Sequence, residues 1–115
     1  WEGILKKRCG IGKITRFNAE GFKTSLAAEI KNYNPIDYFD AKQAKRLDKC
    51  SQYAIIAARE AFEDSKINKD NTDFERIGVF VGSGIGGLKT IQEQCEINVS
   101  KGHNRISPMF IPMSI

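Results

Sequence analysis

No run of about 18 apolar residues occurs in this chain, so nothing in it reads as a membrane-spanning helix, and no secretory leader is recognisable. Cysteine is scarce. Cys9, Cys50 and Cys95 are the three present, with no C-x-x-C pair and no metal-ligand spacing, which excludes a disulfide framework or zinc ribbon and favours a reducing compartment. Histidine is scarcer still: His103 stands alone between Gly102 and Asn104 in a polar stretch and reads as a surface residue. Chemistry that needs paired histidines therefore has no home among these 115 residues. Internal repeats and low-complexity tracts are also absent. Neither a cofactor nor a metal is expected.

Glycine, by contrast, is concentrated. Five of the ten glycines fall between Gly78 and Gly87, where Ile77-Gly78-Val79-Phe80-Val81 runs into Gly82-Ser83-Gly84-Ile85-Gly86-Gly87-Leu88. An almost uniformly apolar run of this length reads as a strand buried on both faces, entering a tight turn before a helix over Leu88 to about Val99. Two nucleotide-binding readings of the turn fail on their surroundings. Gly82, Gly84 and Gly87 satisfy G-x-G-x-x-G, but the region about 20 residues on (Val99 to Arg105) offers no carboxylate for ribose hydroxyls and no second strand. Gly82 and Gly87 also have P-loop spacing, but Leu88 occupies the lysine position. Lys89 comes one place late, and one residue on a helix turns a side chain by about 100°.

Charge is distributed unevenly. Residues 1–49 carry 11 Lys/Arg against 6 Asp/Glu, a net of +5, whereas residues 50–115 carry 7 against 8, a net of −1. The basic half suits an anionic partner. Nucleic acid is the generic candidate, yet the basic segments lack interleaved aromatics and match no nucleic-acid-binding motif, and an acidic protein explains the charge as well.

Along the chain, Trp1 to about Lys7 reads as a helix end terminated by Gly10 and Gly12. A strand is expected near Thr24 to Ile30, and Asn32-Tyr33-Asn34-Pro35 reads as a turn. Asp40 has the form of an N-cap, with Gln43 placed to complete a capping box. One long helix should follow, because Ala44, Leu47, Ser51, Ala54, Ala58, Ala61 and Phe62 recur at three- and four-residue intervals to about Ser65. Its alanines imply close packing against a neighbour. On that helix the charges oppose the dipole: Lys42, Lys45, Arg46 and Lys49 crowd the start, while Glu60, Glu63 and Asp64 crowd the end. Lys42, Lys45 and Arg46 share one face at i, i+3 and i+4.

Several motifs occur together in order: Gly12-Lys13-Ile14-Thr15-Arg16-Phe17, Arg46-Leu47-Asp48, Gln52-Tyr53-Ala54, Gly82 to Leu88, and Ile106-Ser107-Pro108-Met109-Phe110-Ile111-Pro112-Met113. Through these the chain resembles the β-ketoacyl-[acyl-carrier-protein] synthases from Trp1 to Ile115, and Ile85 brings it nearest the type II elongation enzymes of fatty-acid synthesis. The resemblance implies an α/β, thiolase-like layered α-β-α-β-α fold, of which residues 1–115 form part of the N-terminal half with no second domain. It also implies a homodimer, acyl and malonyl thioester substrates, and an acyl carrier protein as partner, with no role for nucleic acid or membrane. By the same resemblance Lys42, Lys45 and Arg46 match the carrier-docking positions. Ile85 matches the residue gating the acyl channel, and Phe110 and Ile111 match residues lining the partner subunit's pocket.

The family's chemistry needs a cysteine thiolate and two histidines. None of the three cysteines lies in the small-residue turn expected of that nucleophile, so no catalytic residue is expected in this chain. The apolar, turnless ending at Ile115 and the start at Trp1 without methionine suggest a fragment. The resemblance would place the complete enzyme in the cytoplasm of a bacterium or a plastid-type organelle of a eukaryote. The alternatives are a polyketide ketosynthase, which shares the chemistry, and a non-enzymatic basic module binding an acidic protein or nucleic acid.

Overall fold

The computed structural model describes residues 1–115, which divide into two compact units, Trp1–Tyr33 and Asn34–Ile115. In the first unit, a short helix α1 (Glu2–Leu5) ends in a turn at Lys7, whose φ of 51° places it in the left-handed region. The chain then enters β1 (Ile11–Lys13), which pairs antiparallel with β2 (Leu26–Ala28). The register sets Ile11 opposite Ala28 and Lys13 opposite Leu26, and Ile14 N–H continues the ladder to Ser25 O at 2.9 Å. β2 falls inside the strand expected between Thr24 and Ile30. Glu29, just after β2, fastens the start of the connection between the strands: its carboxylate accepts from Thr15 Oγ1 at 2.7 Å and from the amides of Thr15 and Arg16. Those bonds, the Thr15 hydroxyl foremost, hold the Glu29 carboxyl below its ordinary pKa. The Gly12–Phe17 motif is thus a strand followed by an anchored turn.

The second unit begins with a 3₁₀ turn, Pro35–Asp37, that places Pro35 at its first position, where a missing N–H costs nothing. Asp40 caps α2 (Ala41–Arg46) by accepting from the amides of Lys42 and Gln43, both at 2.8 Å. The single long helix expected from the periodicity is, however, two helices. α2 stops at Arg46, Leu47 adopts extended backbone (φ −115°, ψ 127°), and α3 (Lys49–Ser65) starts afresh with Asp48 as its N-cap. An aspartate competes for backbone amides more effectively at a helix start than inside one, so the chain breaks where Asp48 stands. Gln52 seals the break. Its Nε2 donates to Ala44 O at 2.9 Å and Leu47 O at 3.0 Å, satisfying carbonyls that the end of α2 leaves open.

The break between α2 and α3 changes how two of these charges meet a helix dipole. Lys45 and Arg46 lie in the last turn of α2, where cations favour the dipole, and only Lys42 remains near a helix start among the three. On α3 the opposition stands: Lys49 opens the helix, and Glu60, Glu63 and Asp64 lie toward its end.

Ile77–Val81 also departs from the expected buried strand. These residues form no strand, and Phe80 is 97 % exposed. A strand buried on both faces requires hydrogen-bonding neighbours on its edges and helices on its faces. The one sheet present is β1–β2, whose strands pair with each other, so the segment has no ladder to join. The alanine stripe is affected likewise. Ala58, Ala61 and Phe62 are exposed, and with Val79 to Gly82 they border an open apolar groove of about 560 Å³. Packing is concentrated elsewhere. Phe39 is the buried apolar residue, 5 % exposed, with the Arg59 guanidinium 5.4 Å above its ring and also donating to Tyr38 O.

The expected helix after the glycine turn is α4 (Leu88–Lys101), two residues longer than the expected span to about Val99. A 3₁₀ turn at His103–Arg105, with His103 exposed, leads to α5 (Phe110–Ser114), which packs against α4. Gln94 Oε1 accepts from Ser107 N–H at 2.7 Å and holds that return segment on α4.

Candidate functional site

The glycine turn, the start of α4 and the end of α5 converge on Asp48. Gly87 caps α4 without a side chain to offer, and Asp48 supplies the missing acceptor from across the fold. Its Oδ2 accepts from Thr90 Oγ1 at 2.6 Å and Thr90 N at 3.1 Å, while Oδ1 accepts from Cys50 N at 2.9 Å. One carboxylate therefore caps two helices, at the end of both where negative charge is most favourable. Asp48 is 7 % exposed and Thr90 is buried with it. Burial pushes the Asp48 carboxyl up, but the Thr90 hydroxyl, the amides of Cys50 and Thr90, and the charge of Lys89 together hold it below its ordinary value.

The turn itself is fixed by two hydrogen bonds. Ser83 Oγ accepts from Gly86 N–H at 2.9 Å, and Gly87 N–H donates to Ser114 O at 2.9 Å. Gly86 has a φ of +77°, and a Cβ there would collide with the Ser114 carbonyl oxygen. At Gly87 a Cβ would meet Asp48 Cγ and Met113 O, each at 2.9 Å. Glycine is required at both positions because other backbone and Asp48 occupy the space of a side chain.

Between Gly84 and Gly86, Ile85 is 66 % exposed on the turn. Phe110, half-buried, and Ile111, 57 % exposed, open α5, and the far end of the same helix touches Gly86 and Gly87. The glycine turn and α5 are thus brought together as elements. Lys42, Lys45 and Arg46 are all exposed on α2, two to six residues before Asp48. Lys45 also borders a recess of about 260 Å³ shared with Lys49, Asp48, Gln52, Lys89 and Thr90. Lys89 pairs with Glu93 at 2.9 Å on the surface of α4, consistent with its unsuitability as a P-loop lysine.

Of the cysteines, Cys9 and Cys95 are exposed, and Cys50 lies at the start of α3 with its Sγ 3.9 Å from Ser83 Oγ. No group of three or more His, Cys, Asp or Glu is placed to hold a metal ion, and no helix is long and apolar enough to cross a membrane. Sequence reasoning missed Asp48 and Gln52 as organising residues. The available signal was an aspartate two residues after the basic cluster, inside an otherwise helical pattern.

The chain belongs to the β-ketoacyl synthases: the family's N-terminal domain matches residues 1–115. Among its relatives, a 3-oxoacyl-[acyl-carrier-protein] synthase 2 from Staphylococcus aureus (strain N315) is 46 % identical over 115 residues. A protein of the same name from Synechocystis sp. (strain ATCC 27184 / PCC 6803 / Kazusa) is 39 % identical over the same length. The match covers 100 % of this chain and 28 % of each relative.

Proposed function

We propose that this chain is the N-terminal part of a type II β-ketoacyl-[acyl-carrier-protein] synthase of fatty-acid elongation, homodimeric and thiolase-like in its layered α-β-α-β-α fold. The observation that carries the proposal is the 46 % identity across all 115 residues to a 3-oxoacyl-[acyl-carrier-protein] synthase 2. That relative's name also favours fatty-acid elongation over a polyketide assembly, and the family match favours a ketosynthase over a generic basic binding module.

The reaction joins two thioesters. An acyl group passes to a cysteine thiolate, releasing its carrier thiol. Malonyl-carrier then loses CO₂, and the electron pair of the broken C–C bond becomes a carbanion stabilised by two histidine donors. That carbanion attacks the acyl carbonyl, the cysteine leaves as thiolate, and a β-ketoacyl-carrier lengthened by two carbons is formed. Residues 1–115 take no part in these bond changes. Their role is recognition: Lys42, Lys45 and Arg46 dock the acidic carrier protein, Ile85 gates the acyl channel, and Phe110 and Ile111 line the pocket of the partner subunit. The site of action is the cytoplasm of a bacterial cell or a plastid-type organelle.

The test uses the full-length protein that contains this segment, supplied with acyl-carrier and malonyl-carrier. A two-carbon extension seen by mass spectrometry, with stoichiometric CO₂ release, is the expected result. Residues 1–115 alone should neither extend nor decarboxylate. An inactive full-length protein would remove the synthase reading, and decarboxylation by the isolated segment would remove the division of labour.

A further inference from the structure

We propose that Asp48 is a positioning residue for acyl-chain selection, holding the Ile85 turn in register with the basic helix α2. The inference rests on the assignment of Ile85 as the gate and adds to it a determinant outside the acyl channel. Three observations carry it. Asp48 follows directly on Arg46-Leu47, where α2 ends, so its backbone is fixed to the docking face. Its carboxylate is fastened to the first turn of α4 by two donors of Thr90, one of them at 2.6 Å. Its Cβ and Cγ lie against Gly87, two residues from Ile85, so closely that no side chain fits between them. The turn is held on its other side by Gly87 N–H donating to Ser114 O, at the end of the helix that carries Phe110 and Ile111. Asp48 is therefore the contact through which α2, the gate turn and the α4 start share one geometry.

Substitution can sever the α4 half of this arrangement and leave the α3 half in place. In Asp48→Asn the retained carbonyl oxygen still accepts from Cys50 N–H. The new amide donor faces Thr90 N–H, which then has no acceptor. Thr90→Val removes the hydroxyl donor alone, and Thr90→Ser restores it.

The measurement is kcat/KM for long against short acyl-carrier substrates in the full-length synthase, alongside each variant's Tm. Asp48→Asn is expected to change the long-to-short ratio by roughly tenfold, the scale of a lost charge-assisted hydrogen bond expressed at a specificity site. Thr90→Val should shift the ratio in the same direction, and Thr90→Ser should retain the parent ratio. In an Ile85→Ala background both shifts should vanish, because the positioned side chain is gone.

A fall that is equal for every chain length would overturn the proposal, as would a shift that persists without Ile85 or a Thr90→Ser variant as altered as Thr90→Val. Should Asp48→Asn fail to accumulate, the two Thr90 variants and Ile85→Ala complete the same cycle. Inactive wild-type protein would refute the synthase reading itself. Active wild-type protein with a chain-length-blind Asp48 would refute the positioning role alone.

Discussion

Thr90 Oγ1 donates to Asp48 Oδ2 at 2.6 Å across 42 positions of sequence, and this bond lets one carboxylate start two helices. The recipient lies at the break between α2 and α3, and the donor lies just beyond the glycine turn. Neither helix start is otherwise well provided, since the N-cap of α4 is Gly87 and α3 begins at Lys49.

The first prediction follows from the charge on Asp48. Its carboxyl titrates below the ordinary value of 3.8, so the folded state binds the proton less readily than the unfolded chain. The stability it contributes is fully present above the unfolded pKa and is lost as pH falls through the lower folded value. The Tm difference between wild-type and Asp48→Asn full-length protein should therefore be largest near neutrality and close as pH drops below about 4. A constant gap down to the most acidic folded condition would show that the charge contributes nothing.

Charge reversal at Lys45 and Arg46 should impair carrier-bound substrates by roughly tenfold at low salt while sparing acyl-pantetheine, because long-range attraction raises association rate above all. The deficit should shrink as ionic strength rises and the Debye length falls to about 8 Å at physiological salt. Equal impairment of both substrate types, or a deficit indifferent to salt, would remove the docking role. Both residues are exposed, and acids in the last turn of α2 oppose its dipole by only about 0.3–1 kcal/mol each, so the variants should fold.

Replacing Ile85 by Phe should narrow acceptance toward short acyl chains and leave malonyl-carrier decarboxylation nearly intact. Each methylene denied burial forfeits about 0.8 kcal/mol, close to fourfold in kcat/KM, until the blocked depth is reached. A ladder of saturated acyl-carriers measures the trend. A uniform loss would mean that Ile85 supports the turn generally, and no change would place it outside the channel.

Gly86→Ala should cost about 3 kcal/mol, read as a lower Tm of the full-length protein. Its φ of +77° is one cause and the Ser114 carbonyl oxygen is the other. Asparagine separates the two, since it tolerates left-handed backbone yet carries the colliding Cβ. Gly86→Asn should be as damaging as Gly86→Ala; recovery of stability would show that backbone conformation alone requires the glycine.

Local signals were legible where the residue itself determined the outcome. Asp40 caps α2 as its position suggested, a strand lies within Thr24–Ile30, the helix expected from Leu88 is present as α4, and the turn expected over Asn32–Pro35 falls slightly later, as the 3₁₀ turn Pro35–Asp37 after an extended Asn34. What periodicity could not show was competition. The apolar repeat passed unbroken through Leu47-Asp48, but the backbone there is decided by a carboxylate that finds amide donors on both sides. The Ile77–Val81 run had the composition of a central strand, yet a strand exists only through neighbours, and those neighbours are not a property of the five residues. At the candidate site, the basic face and the glycine turn could be marked out from sequence. Their junction at Asp48 depends on a contact 42 residues away, which no spacing rule encodes.

Phe80, uncovered at the centre of its apolar run, has a consequence for synthesis on the ribosome. A nascent chain that has extruded these 115 residues presents an adhesive surface with Val79 and Val81 beside it, the composition that promotes intermolecular strand pairing. Elongation at about 5–20 residues per second leaves such a surface open for seconds during synthesis. Expression yield should therefore respond to chaperone supply and translation rate more sharply than the stability of the folded protein would suggest.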